Sequence, residues 1–466
     1  MLSELSRATG AAVGAGLQPC PGAAHRRGLC AAAAAVGGSL SSSCASVEGA
    51  GLLGGNWMLR HIAENSQQPF SKYSLEELLR LQELSPTERL LHLDNVLHVG
   101  ISKIVLLLQD LPLGFGSRGP IREVIQDYVQ DLRDLHDNPP EDPNRFKKCI
   151  LEIFARHRGM LGQIARGLRD FQHEIGEGFE PIADLNSTSL ADICEFVPAV
   201  QKIERTLDDF FTIRTTLRLL IAHCLQLNPE DRGAEIGFAM HELMQRIPDS
   251  LRQEGASGPQ VRHVGAICLD TRPSLILIEA YRHAQFMVQR RFNRSPPELM
   301  VNGRTAREFL VEGLEQPSLD THFPYVDIHL YFVFFEVLKN ALLTSMRKAS
   351  RSGAEPSPVH ASLITGTSLM SENERTVKIT DYGEGINRDD MRKVWSYFHS
   401  TVNEQRGDPL SHTAMSEEDG AAPSRLARAG NRGLGLAVSR VLVRYFGGEI
   451  DLHSIPRKGT DVYIYL

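Results

Sequence analysis

The sequence predicts an α + α/β chain, a helical bundle followed by an α/β sandwich, on three observations. From Tyr73 to about Arg246, apolar residues recur at helical spacing. The segment QEGASGPQ at 253–260 then has the composition of a linker. Beyond it, strand-like runs alternate with helical ones, the pattern of a sheet covered by helices. The expected organisation is a leader at 1–55, a bundle at 56–252, a linker at 253–262 and an α/β domain at 263–466.

The leader is rich in Ala, Gly and Ser, and between Glu4 and Glu48 it carries Arg7, Arg26 and Arg27 with no acid. Such a cationic stretch has too little apolar bulk to form a core and suits a cleavable transit peptide, so import into an organelle is expected. A disordered tail, or an upstream extension with translation starting at Met58, is the alternative. In the bundle, Leu75, Leu78 and Leu79 show i, i+3, i+4 spacing behind a capping box of Ser74 and Glu77. Further helices are expected over Val96–Leu108, Ile121–Leu135, Phe146–Phe171 and Ile203–Leu225. Pro112, Pro139, Pro140, Pro143 and Pro181 fall between them, where helices stop.

In the α/β domain, strands are expected at Ser274–Ile278, His360–Ile364, Thr376–Ile379, Glu449–His453 and Asp461–Leu466. Helices are expected at Ala280–Arg291, His329–Met346 and Leu434–Tyr445.

Composition narrows the function classes. A hydrophobic share of 42% and a charged share of 23% are those of a globular protein. A net charge of −7 speaks against a basic nucleic-acid clamp, so no nucleic-acid partner is expected. The seven cysteines form no Cys-x-x-Cys pair and no zinc-ligand spacing, and are expected as reduced, mostly buried thiols. No integral membrane segment is expected, because the longest apolar run considered, Leu330–Leu343, is interrupted by Glu336, Lys339 and Asn340.

Those three polar residues open the case for a site. On the apolar helix HLYFVFFEVLKNALLTSM (329–346) they stand at i, i+3 and i+4 and share one face. A carboxylate and a carboxamide there are costly unless they meet a partner such as a metal ion or a phosphate. Next, a buried strand ends in Asp381-Tyr382-Gly383-Glu384-Gly385, where two glycines let the backbone turn tightly beside a ligand. The acid there is placed to accept from an exocyclic amine such as that of adenine. The third piece is Gly430-Asn431-Arg432-Gly433-Leu434-Gly435-Leu436, glycines that open a helix and offer amide N–H groups to phosphate oxygens. It is neither a Walker A loop nor a dinucleotide fingerprint, because the spacing fits neither. The fourth is Lys458-Gly459-Thr460-Asp461, a turn into the last strand whose threonine hydroxyl points to the base.

In this order the four pieces resemble the GHKL superfamily of ATPases and kinases. Within it, the chain resembles the mitochondrial protein kinases of pyruvate dehydrogenase and branched-chain α-ketoacid dehydrogenase. The likeness runs from about residue 73 to the end and is carried by HLYFVFFEVLKNA (329–341), VWSYFHST (394–401) and SRVLVRYFGGEIDLHSIPRKGTDVYIYL (439–466). LDDFFTIRTTLRLLIAH (207–223) and HVGAI (263–267) look like that family's last bundle helix and domain junction.

The resemblance implies a GHKL-type sandwich that binds ATP and Mg²⁺. Glu336 would act as general base or orient the attacking serine hydroxyl, with Lys339 beside it and Asn340 on Mg²⁺. Asp381, Gly385 and Thr460 would contact adenine, with Gly383 in the same turn. Ser400 and Thr401 would begin an ATP lid at about 400–432, and Gly433, Leu434, Gly435 and Leu436 would frame the phosphates. The implied reaction is γ-phosphoryl transfer to the E1 subunit of a 2-oxoacid dehydrogenase complex in the mitochondrial matrix. A homodimer and docking on the lipoyl-bearing E2 are implied with it.

The chain departs from the family's pattern at named positions. Tyr382 and Glu384 replace Arg and Gly, Asn431-Arg432 replaces a Gly-aromatic pair, Phe332 stands for a histidine near the base, and Leu343 for an arginine. The sequence ends at Leu466, straight after the expected last strand, without the C-terminal tail that pyruvate dehydrogenase kinases use for dimer cross-over and lipoyl docking. SYFHST leans towards a pyruvate dehydrogenase substrate and the missing tail towards the branched-chain one. Two other readings stay open: a two-component histidine kinase, with His157 or His223 as phospho-acceptor, and a non-catalytic ATP-binding scaffold.

Overall fold

A computed structural model of the chain describes residues 56–178, 190–227, 262–309, 322–365, 375–398 and 433–466. The leader at 1–55, the linker at 253–261, Pro181 and the whole expected lid at about 400–432, Ser400 and Thr401 included, lie outside the described residues.

Among the described residues, seven helices make the first layer: α1 (Asn56–Ser66), α2 (Leu75–Arg80), α3 (Pro86–Gln109), α4 (Gly119–Asp137), α5 (Pro143–Arg156), α6 (Met160–Gly178) and α7 (Leu190–Gln226). The Ser74 capping box forms as expected, with Ser74 N–H donating to Glu77 (2.8 Å) and Glu77 N–H to Ser74 Oγ (3.2 Å). Ser85 and Glu88 repeat it in front of α3. Contrary to expectation, α3 is long and apolar enough to cross a membrane by length and composition. It packs on α1, α4 and α7, and half of its apolar window is buried, as the central helix of a bundle requires.

The helix expected over Phe146–Phe171 is broken into α5 and α6 by a 3₁₀ turn at His157–Gly159. The cause is Asp131 of α4, which is fully buried. It accepts from His157 Nε2 at 2.6 Å and pairs with the guanidinium of Arg156, so the chain kinks where two consecutive residues turn to one carboxylate. Asp131→Ala leaves a buried histidine and an arginine facing an empty site. It is expected to lower stability by about 3 kcal/mol in urea unfolding, and a cost below about 1 kcal/mol would show the pairing to be incidental.

The second layer begins with β1 (His263–Val264), β2 (Ile267–Thr271), α8 (Pro273–Phe292), β3 (Leu299–Val301), β4 (Arg304–Thr305) and β5 (Phe323–Tyr325). It continues with α9 (Asp327–Ser352), β6 (Val359–Thr365), β7 (Arg375–Asp381), α10 (Gly435–Tyr445), β8 (Glu449–Ile455) and β9 (Gly459–Tyr465). The expected strand at Ser274–Ile278 is the first turns of α8. Its apolar run is short enough to fit either element, and Pro273 at the first helical position starts the helix. The run is uniformly apolar because four of its residues, Ser274, Ile276, Leu277 and Ile278, are buried.

β1, β2 and β5 form a small antiparallel sheet, in the order β1-β2-β5. The main sheet has the order β4-β3-β6-β7-β9-β8, antiparallel except for β3 with β6. α9 and α10 cover one face, whose inward residues are Val377 and Ile379 of β7, Ile450 and Leu452 of β8, and Val462 and Ile464 of β9. α10 also contacts α7, where Tyr445 donates to Thr216 (3.0 Å) and receives the Tyr73 N–H (3.3 Å). Tyr397 donates to Asp208 of α7 (2.6 Å) and stacks on Phe211, with ring centroids 5.5 Å apart. The bundle therefore touches the α/β layer at Tyr397 and at Tyr445.

Candidate nucleotide site

Helix α9 is the floor of the site. Most of its surface is buried, and its helical period sets Glu336, Lys339, Asn340 and Thr344 along one side. Glu336 (1% exposed) and Lys339 (4%) pair at 2.5 Å inside the protein. Asn340 is half-buried next to them. Burial pushes the Glu336 carboxyl up, and the neighbouring ammonium opposes this in part. Its Oε2 is held by Lys339, while its buried Oε1 has no hydrogen-bond partner in the described structure.

Across from Glu336 stands the N-terminus of α10. A Cβ added at Gly435 would overlap the Glu336 carboxylate, so only glycine lets the loop backbone come this close to the acid. Leu434 is buried, and Gly433, Gly435 and Leu436 are half-buried around the first turn. The first N–H groups of that turn and the positive end of the helix lie beside the Glu336 carboxylate.

The other end of the site lies eight residues further along α9. Period-two alternation in β7 puts Val377, Ile379 and Asp381 on the inner face, so the strand ends with a carboxylate beneath the helix. Asp381 is 6% exposed, accepts the Gly383 N–H (2.8 Å) and lies 3.4 Å from Thr344 Oγ1. Burial raises its carboxyl to about 6, against the pull of those hydrogen bonds. Thr460 is the Cα partner of Asp381 across β7 and β9, and its hydroxyl lies 2.9 Å from Ser454 Oγ. Gly385 takes φ +68°, and a Cβ there would strike the Ile455 carbonyl, so the turn closes directly on the β8–β9 hairpin. Glu336 and Thr344 are about 12 Å apart along the helix axis. That separation suits a nucleoside triphosphate lying with its base at Asp381 and its terminal phosphate at Glu336.

The structure sets Glu336, Lys339 and Asn340 beside the start of α10, which carries Gly433, Leu434, Gly435 and Leu436, and gathers Asp381, Gly383, Gly385 and Thr460 around Thr344. Sequence reasoning missed Thr344, Ser454 and Lys348. Thr344 stands beside Asp381 and Ser454 beside Thr460. Lys348 Nζ donates to the carbonyls of Tyr382 (2.6 Å) and Arg457 (3.1 Å) and ties the turn to the hairpin. Thr344 was findable, because it stands at i+4 from Asn340 on the polar side of the helix.

The departures also have places. Tyr382 is exposed with its ring edge-on to His360, and Glu384 pairs with Arg351 at 2.5 Å. Both lie on the outer side of the turn. Leu343 is buried and Phe332 half-buried on α9.

A glycine-opened helix over a polar-striped one, with an acid at the end of an antiparallel strand, defines an ATP-binding domain of the GHKL kind. Residues 326–466 match the family described as histidine kinase-, DNA gyrase B- and HSP90-like ATPases. Residues 72–268 match mitochondrial branched-chain alpha-ketoacid dehydrogenase kinase. The chain is 26% identical over 394 residues to the mitochondrial [pyruvate dehydrogenase (acetyl-transferring)] kinase of Arabidopsis thaliana, covering 82% of this chain and 86% of that protein. It is 24% identical over 437 residues to the human isozyme 4 of that kinase (91% and 86% covered). With human isozyme 3 it shares 24% over 366 residues (78% and 73%). These matches support the family of mitochondrial pyruvate dehydrogenase and branched-chain α-ketoacid dehydrogenase kinases, within the GHKL superfamily.

Proposed function

We propose that this chain is an ATP-dependent protein-serine kinase of the mitochondrion that phosphorylates a 2-oxoacid dehydrogenase E1 subunit, pyruvate dehydrogenase first. The observation that carries the reading is the Glu336 carboxylate, buried, held by Lys339 on one oxygen and unpartnered on the other, against the Gly435 turn. A group that only stabilised the fold would have both oxygens satisfied, since an orphaned buried acceptor costs about 1–3 kcal/mol. An acid with a raised pKa and a free lone pair is suited to take or orient a serine hydroxyl proton.

Each residue role follows from its place. Asp381, with Thr344 and Thr460 around it, reads the adenine amine, and Gly383 and Gly385 let the base approach the backbone. Gly433, Leu434, Gly435 and Leu436 present the α10 N-terminus to the phosphates. Lys339 holds Glu336 in position. The donor set fits Mg²⁺: Asn340 offers a hard amide oxygen one turn beyond Glu336, on the face where phosphates would lie. Mg²⁺ held there with the phosphates would neutralise charge in the transferring phosphoryl group. We also assign the lid to residues about 400–432, beginning at Ser400 and Thr401, the helical domain to 56–252 and the kinase domain to 263–466.

The matrix as compartment, a homodimer and docking on a lipoyl-bearing E2 belong to this proposal. The match of residues 72–268 supports the branched-chain complex as a second substrate. The histidine-kinase reading is disfavoured by burial. His223 is fully buried, bonds to the Leu78 carbonyl (2.9 Å) and is lowered to about 4, while His157 is tied to Asp131.

The test is transfer from γ-labelled ATP with Mg²⁺ to both E1 proteins, each with its lipoyl-bearing E2 core. Acid-stable phosphoserine on pyruvate dehydrogenase E1, several-fold faster than on the branched-chain one, is expected. Acid-labile, alkali-stable label on the chain itself would overturn the proposal, and ATP binding without labelling of any E1 would make the chain a scaffold.

A further inference from the structure

We propose that His263, Cys268 and Asp327 form a binding site for a divalent metal of the zinc class. It clips the small sheet to the start of helix α9. Their ligand atoms, one imidazole nitrogen, one thiol sulfur and one carboxylate oxygen, lie within 4.8 Å of one another. A tetrahedral zinc with bonds of about 2.0–2.3 Å holds its ligand atoms about 3.3–3.8 Å apart, so contraction by about 1 Å closes the set.

The fold explains how three residues so far apart in sequence converge. His263 and Cys268 are direct Cα partners in the β1–β2 pair, which puts both side chains on one face of the sheet. Cys268 also pairs with Tyr325 of β5, and the chain enters α9 at Asp327 two residues later. Cys268 is 1% exposed and Asp327 4% exposed, whereas His263 is on the surface. The site is therefore walled by protein on two sides and open on the third, which leaves the fourth tetrahedral position to water.

The carboxylate is already oriented by the protein. Thr271 Oγ1 donates to Asp327 Oδ1 at 2.5 Å, leaving Oδ2 turned towards His263 Nε2 at 4.0 Å. That is the outer-shell support that metal-bound carboxylates have. Sulfur, imidazole and a single carboxylate oxygen form a mixed donor set that suits zinc better than calcium or magnesium. Binding replaces the Cys268 S–H bond by a metal–sulfur bond and releases the thiol proton to solvent. Of the residues it joins, Asp327 precedes Glu336 by nine positions on the same helix, so the metal would fix the end of the element that carries the kinase carboxylate.

The experiment is a zinc titration of the metal-free full chain against a chromophoric chelator, with cobalt substitution read in the near ultraviolet. Wild type is expected to show a thiolate-to-cobalt charge-transfer band and a rise in melting temperature with zinc. His263→Ala removes an exposed side chain and leaves the fold intact by circular dichroism, yet should weaken zinc binding by about tenfold or more and abolish that rise. Asp327→Asn, which keeps the Thr271 hydrogen bond, should weaken it to a similar degree, and Cys268→Ser should lose the band assigned to this site. If His263→Ala and Asp327→Asn both bind zinc as wild type does, or if wild type takes up no zinc, the triad is a hydrogen-bonded cluster and the proposal is wrong.

Discussion

Glu336→Gln is expected to reduce phosphoryl transfer by about 10²–10⁴-fold, the usual contribution of a positioned acid–base group, while ATP affinity stays within about threefold of wild type. Gln has the shape of Glu and keeps an oxygen for Lys339, so the contact with Gly435 is retained. What disappears is the proton acceptor. The rate profile should change with it. A base works only when deprotonated, and burial raises the Glu336 pKa, so the acid limb of the wild-type profile should lie above the ordinary glutamate range. That limb should vanish in the variant. Single-turnover transfer combined with calorimetric ATP binding checks both halves. Transfer within threefold of wild type would remove Glu336 from the chemistry, and parallel loss of ATP binding would show that the substitution disturbed the nucleotide cradle.

Asp381→Asn should act in opposite directions on binding and stability. The acceptor proposed to read the adenine amine becomes a group with donors of its own on one side, so ATP affinity should fall by about tenfold or more, in the range of a lost hydrogen bond to a charged group. Stability should rise. The folded carboxyl titrates near 6 against an ordinary 3.8, so the raised pKa contributes stability below about pH 4 that is lost as pH rises through 6. At pH 7 the buried charge costs on the order of 3 kcal/mol, which the neutral amide avoids. Ligand-free Asp381→Asn should therefore melt a few degrees above wild type at pH 7.5, with the difference shrinking to nothing near pH 4. A lower melting temperature at pH 7.5 would mean that the hydrogen bonds from Gly383 and Thr344 outweigh the desolvation of the charge.

Together these variants probe a proposed site whose two carboxylates are both held in unfavourable surroundings. Asp381 is kept beneath α9 by the alternation of β7, and Glu336 by a helix that is buried along nearly its whole length. The strain of keeping them there is offset by the core around them, where Val377, Ile379, Ile450, Leu452, Val462 and Ile464 close the sheet against α9 and α10.

The sequence alone determined whatever depends on near neighbours along the chain. The apolar run before Asp381 predicts a buried strand that ends in that acid. Helical spacing predicts that Glu336, Lys339 and Asn340 share a side, and the Ser74–Glu77 box predicts where α2 starts; all three are as expected. Local signals failed where a short apolar run satisfies both periods, as at Ser274–Ile278, and where a distant side chain bends the backbone, as Asp131 does between α5 and α6.

Only the tertiary structure decided which acid meets which glycine. Glu336 and Gly435 have no local relation, and neither do Thr344 and Asp381 or the three residues His263, Cys268 and Asp327. The cysteines show no zinc spacing because the partners of Cys268 lie on an adjacent strand and at a helix start, 59 residues further on in the case of Asp327. Chain periodicity specifies the face a side chain occupies, whereas the partner it finds there is chosen by how sheets and helices stack, through contacts that no local spacing encodes.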